Sequence, residues 1–90
     1  MAETRIATIK NELGLHARAA AQFVQTANKF RAEITVSKDG EEVNGKSILN
    51  LMMLAAPIGS EILLKADGDD ALDLLESLLR LIENKFGESK

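Results

Sequence analysis

Glu33-Ile34-Thr35-Val36-Ser37-Lys38-Asp39-Gly40-Glu41-Glu42-Val43-Asn44 carries the pattern on which the fold turns. Its first six residues alternate with period two, which puts the apolar side chains on one face of an extended segment. Asp39-Gly40 then supplies a pair that tolerates positive φ, as a tight hairpin turn requires. Glu41–Asn44 reads as the return strand, short and charged enough to lie at a sheet edge. A hairpin at this point makes the sheet antiparallel, at least locally.

Working outward, residues 4–10 are β-rich and stop at the polar pair Asn11-Glu12, which predicts a first strand. Over residues 17–29, Ala20, Phe23, Val24 and Ala27, continued by Phe30, recur at helical spacing and predict an amphipathic helix. Downstream, Ser47 is a favoured N-cap and precedes the helix formers Ile48-Leu49-Asn50-Leu51-Met52-Met53-Leu54. Pro57 and Gly59 keep that helix short. Residues 61–66 read as another strand, ended by Asp67-Gly68. A long helix follows from Asp69 or Asp70 to about Phe86, with Gly87 as its C-cap. Ala71, Leu75, Leu78, Leu79, Ile82 and Phe86 form its apolar stripe, and Leu74 and Leu81 fall off it and are expected to be partly exposed. The order β-α-β-β-α-β-α predicts an α+β open-faced β-sandwich, a four-stranded antiparallel sheet with three helices on one face. Without a linker, repeat or low-complexity tract, residues 1–90 are expected to form a single domain.

Composition removes several classes of function. With no cysteine and one histidine there is no disulfide scaffold, no thiolate chemistry and no donor set for a metal, so neither metal nor cofactor is expected. A formal net charge of −3 with dispersed basic residues gives no footprint for nucleic acid. No apolar run approaches the ~20 residues of a membrane span, and the N-terminus lacks a signal core. The default expectation is a cytoplasmic protein that does not insert into membranes.

The single histidine, His16, lies in Gly14-Leu15-His16-Ala17-Arg18-Ala19-Ala20, where a loop turns into the first helix. The first amides of a helix lack intrahelical acceptors, and the macrodipole favours negative charge there. An imidazole at that point, with a guanidinium two residues on, has the makings of a nucleophile that takes up and holds a phosphoryl group. A second motif, Gly40-Glu41-Glu42-Val43-Asn44-Gly45-Lys46-Ser47, fits the P-loop pattern literally and is rejected. A P-loop needs a strand running into its first glycine and a long helix after its lysine, within a parallel sheet. Here the glycine belongs to a hairpin turn, and two glutamates would repel a triphosphate.

Gly14-Leu15-His16-Ala17-Arg18 resembles the active-site loop of HPr, the histidine phosphocarrier family of the bacterial phosphoenolpyruvate phosphotransferase system. Gly45-Lys46-Ser47-Ile48 is similar to that family's second segment, and the likeness extends through the Phe23-Val24 helix and the Glu33-Ile34-Thr35-Val36 strand to nearly the whole chain. The resemblance implies that His16 accepts phosphate from phosphoenolpyruvate via enzyme I and passes it to IIA domains of sugar permeases. Arg18 and the backbone amides of Ala17 and Arg18 would then hold the phosphate. Such a chain forms a covalent phosphohistidine but is not a self-sufficient enzyme.

The resemblance further implies that Ser47 is a regulatory site for a serine kinase/phosphorylase, besides its role as a helix cap. Ile48, Leu49, Met52 and Met53 are expected to form the partner-docking surface, because the short helix is apolar on both faces and too small to bury them all. Transient docking suits a monomer. One residue departs from the family pattern: Ala19 stands where proline usually follows the arginine. That restores one N–H donor and loosens the loop, which bears on transfer rate and partner preference. The alternative reading is a regulatory or nitrogen-related paralogue that acts through protein binding rather than sugar uptake.

Overall fold

The computed structural model describes residues 2–90. Its elements are β1 (Ala2–Thr8), α1 (Ala17–Ala27), β2 (Glu33–Lys38), β3 (Glu41–Asn44), α2 (Ile48–Met53), β4 (Glu61–Asp67) and α3 (Ala71–Glu83), followed by a 3-10 turn at Lys85–Gly87. The strands form one four-stranded sheet in the order β1-β4-β2-β3, and every pairing is antiparallel. The expected hairpin is present, with Lys38 opposite Glu41 and both Asp39 and Gly40 at positive φ (53° and 86°). Its return strand β3 is an edge, as its charge implies.

Alternation along the strands decides where the core lies. Ile34 and Val36 of β2, Ile62, Leu64 and Ala66 of β4, and Ala7 of β1 are buried under the helices. On the opposite face Ile6 and Leu63, paired across β1 and β4, remain exposed. The helices therefore cover one face, and the open-faced sandwich expected from the element order is the one observed. Ala20, Phe23, Val24 and Ala27 of α1 enter this core, and Phe30 packs at its border.

The element ends differ in instructive ways. β1 starts at Ala2 and its ladder ends at Thr8, although Ile9 continues the pairing through bonds with Ser60 and Gly59. α1 stops at Ala27 rather than residue 29, as Asn28 takes over as the cap. Leu74, expected to be partly exposed, is fully buried, because α3 packs against α1 as well as against β1 and β4 and so presents a wider apolar arc. Leu81 and Leu79 are half-buried.

The largest departure is at the chain's end. α3 stops at Glu83 with Asn84 as its cap, and Lys85, Phe86 and Gly87 all adopt positive φ (57°, 55° and 78°). A left-handed non-glycine residue costs roughly 1–2 kcal/mol. Burying Phe86 to 1% exposure offsets this, since a full Phe burial contributes about 1.5–3 kcal/mol. Gly87 thus ends the 3-10 turn and not the helix, and the turn redirects the last residues toward the start of α1. The P-loop match is likewise resolved by geometry: the lysine of the motif, Lys46, donates to the Phe30 carbonyl (2.9 Å), and the segment runs along a sheet edge into the six-residue α2.

Candidate functional site

The loop between β1 and α1 is held from three directions. Ile9 is buried, the Gly14 amide donates to the Asn11 carbonyl (3.1 Å), and the Leu15 amide donates to the Ala56 carbonyl (2.9 Å). Gly14 sits at φ +69° with the Ala56 carbonyl so close that a Cβ would lie 2.5 Å from its oxygen. Only glycine meets both demands. The loop delivers His16 to the N-cap of α1 with extended backbone angles (φ −81°, ψ −178°).

The side chain of His16 makes no capping bond to the helix. Its carbonyl accepts the first helical bond, from the Ala20 amide (2.8 Å), and the amides of Ala17, Arg18 and Ala19 have no backbone acceptor among the described residues. Those donors, with the positive end of the helix dipole, form the anion-favouring surface beside the imidazole. Arg18 is exposed on the first turn and lines the same cleft as His16 and Glu88. Ala19 is wholly buried, and its amide has no backbone acceptor among the described residues.

The ring itself is only partly accessible, with 28% of the side chain exposed. Its Nε2 lies 2.6 Å from Oε2 of Glu88, 72 residues away in the chain. Nδ1 has no hydrogen-bond partner among the described residues. Glu88 is steered by Asn11, whose Nδ2 donates both to Glu88 Oε1 (3.1 Å) and to the Gly14 carbonyl (2.7 Å). The bond from His16 above all, helped by the Asn11 bond and the Arg18 charge and opposed by partial burial, holds the Glu88 carboxyl below its ordinary range. Neither Asn11 nor Glu88 was legible as a site residue. Asn11 looked like the polar end of a strand, and Glu88 followed a presumed helix cap.

Ser47 caps α2 as expected, its Oγ accepting from the Asn50 amide (3.2 Å) and from Asn50 Nδ2 (2.7 Å). Within α2 only Leu51 is buried, whereas Ile48, Leu49, Met52 and Met53 are 42–67% exposed. The apolar surface is broader than sequence reasoning indicated, because Leu13 and Ile58 are also exposed. Leu13 and Pro57 share a cleft with His16. Among the described residues no three His, Asp or Glu side chains converge as metal ligands, and no helix is long and apolar enough to cross a membrane.

Known proteins are similar to this chain over nearly its whole length. The family described as PTS HPr component phosphorylation site matches residues 3–84. The phosphocarrier protein HPr of Cupriavidus necator is 48% identical over 86 residues, covering 96% of this chain and 97% of that protein. The phosphocarrier protein HPr of Neisseria meningitidis is 50% identical over 82 residues, covering 91% and 92% respectively. The crystal structure of HPr-C-His from Thermoanaerobacter tengcongensis superposes with a TM-score of 0.94 at 48% identity, covering 98% of this chain and 99% of that one.

Proposed function

The chain belongs to the HPr family and is a phosphoryl carrier of the phosphotransferase system, and on that premise we propose that His16 carries the phosphoryl group on Nδ1. The observation that supports this assignment is the division of labour on the imidazole: Nε2 is engaged by Glu88, and Nδ1 has no hydrogen-bond partner on a ring carried by the N-cap of α1, whose first amides lack backbone acceptors. The Nδ1 lone pair attacks phosphorus as the bond to the donor breaks and the donor leaves with its electron pair. The amides of Ala17 and Arg18 and the Arg18 guanidinium receive the phosphate oxygens, a role for which charge-assisted bonds are suited. Transfer onward reverses these steps. Partial exposure of His16 suits a cargo that must be released.

Family membership brings docking to enzymes of the phosphotransferase system, such as enzyme I and IIA domains. In our reading the exposed side chains Ile48, Leu49, Met52 and Met53 receive both partners, and the single domain formed by residues 1–90 works as a cytoplasmic monomer. Phosphoenolpyruvate is the ultimate donor, via enzyme I, and a sugar permease the destination. Ser47 is the site for a serine kinase/phosphorylase, where a phosphate at the start of α2 adds charge beside the docking face without unfolding it. Ala19 in place of the family's proline gives the phosphate an extra N–H neighbour.

The test is phosphorylation by phosphoenolpyruvate, magnesium and a bacterial enzyme I, followed by intact mass. One acid-labile phosphate is expected on the wild type and none on His16→Ala, with transfer to an added IIA domain. A wild type that takes up no phosphate from a cognate enzyme I, or a His16→Ala variant that does, overturns the assignment.

A further inference from the structure

We infer that Glu88, oriented by Asn11, is a positioning residue for His16: it selects the ring tautomer that accepts the phosphoryl group and offsets the charge the ring acquires. This rests on the carrier reading of His16 and extends it to the end of the chain. A carboxylate 2.6 Å from Nε2 requires the ring proton to reside there, which leaves the lone pair on Nδ1. When Nδ1 forms its bond to phosphorus, the ring holds a proton on Nε2 and a phosphoryl group on Nδ1 and carries a positive charge. The Glu88 carboxylate faces that charge and keeps the proton on the ring. On release the Nδ1–P bond breaks, its electron pair returns to Nδ1, and the neutral ring keeps its Nε2 proton. The same contact therefore serves both directions, as a carrier requires.

The contact is built rather than incidental. Asn11 is fully buried at 0% exposure, and its Nδ2 has one hydrogen for Glu88 and one for the Gly14 carbonyl, so one amide ties the carboxylate to the backbone of the loop bearing His16. Its Oδ1 is buried without a partner, so the amide is held there at a price in unmet hydrogen bonding. On either side the tail is anchored: Phe86 is buried, the Glu88 amide donates to the Lys85 carbonyl (2.9 Å), and the Glu12 amide donates to the Lys90 carbonyl. Glu88 is left with 15% of its side chain exposed. A carboxylate dried and oriented in this way exceeds what a surface tether needs.

The test compares wild type, Glu88→Gln and Glu88→Asp in single-turnover phosphorylation by enzyme I, alongside imidazole ¹⁵N NMR of His16. Glu88→Gln should reach full phosphorylation but about 10- to 100-fold more slowly, the range for losing a charge-assisted hydrogen bond. Its Nδ1–H population should rise, and Glu88→Asp should recover part of the rate. A Glu88→Gln rate within twofold of wild type with unchanged ¹⁵N signals would overturn the inference and leave Glu88 a tether. So would a wild-type ring found chiefly with its proton on Nδ1, a measurement that needs no variant to fold. A wild type that accepts no phosphate at His16 would instead overturn the carrier assignment, so the two failures are distinguishable.

Discussion

Replacing Gly14 by alanine puts a methyl group where the chain has no room and asks alanine to hold φ +69°. The added Cβ would lie 2.5 Å from the Ala56 carbonyl oxygen and 3.0 Å from the Pro57 Cα, both backbone atoms that cannot rotate aside. The left-handed conformation alone costs roughly 1–2 kcal/mol. Relief of the overlap must push the loop from the 54–57 segment, and the bond from the Leu15 amide to the Ala56 carbonyl then weakens, a further ~1 kcal/mol. The sum is about 2–3 kcal/mol of lost stability, or roughly 8–24 °C in Tm at about 4–8 °C per kcal/mol for a domain of this size. Urea unfolding should show a lower midpoint with an unchanged slope. Because Gly14 is two residues from His16, a loop shifted by ~1 Å should also slow phosphorylation by up to about 100-fold. A Gly14→Ala protein that loses less than about 0.5 kcal/mol and accepts phosphate at the wild-type rate would refute this account of the loop.

Ser47→Ala removes the acceptor for the Asn50 amide and should lower stability by about 1 kcal/mol while leaving acceptance at His16 unchanged; thermal unfolding and the enzyme I assay check the two halves. Asp70 accepts from the amides of Arg31 (2.9 Å) and Ala32 (2.8 Å), and these bonds, Arg31's first, hold its carboxyl low against a smaller desolvation penalty. A depressed folded pKa means the stabilisation is full above about 3.8, the ordinary aspartate value, and fades as pH falls through the folded one. Urea titrations at pH 7 and pH 3 should therefore show a smaller pH-linked loss in Asp70→Asn than in wild type. Ala19→Pro should fold normally yet shorten the life of the phosphorylated form roughly threefold to tenfold by deleting one free amide, as read by the decay of the intact-mass adduct. Leu49→Asp with Met53→Asp should leave Tm within a few degrees and raise the KM for enzyme I, since both side chains are exposed.

What the amino-acid order alone determined is whatever depends on neighbours a few residues apart. Period-two alternation in residues 33–38 and the Asp39-Gly40 pair dictated the hairpin. The spacing of Ala20, Phe23, Val24 and Ala27 dictated the buried stripe of α1, and Ser47 the cap of α2. The place of His16 at a helix start, with Arg18 two residues on, was equally local. Tertiary structure alone decided the order β1-β4-β2-β3, in which the first strand lies beside the last. It also decided the full burial of Leu74, because the width of an apolar stripe depends on how many elements a helix meets. Most consequentially, it decided the break at Lys85 and Phe86. The gain from burying one aromatic ring is of the same size as the strain of two left-handed residues, and no local propensity registers that balance. That break carries Glu88 across the 72 residues separating it from His16, so half of the imidazole's environment exists only after the sheet and helices have closed.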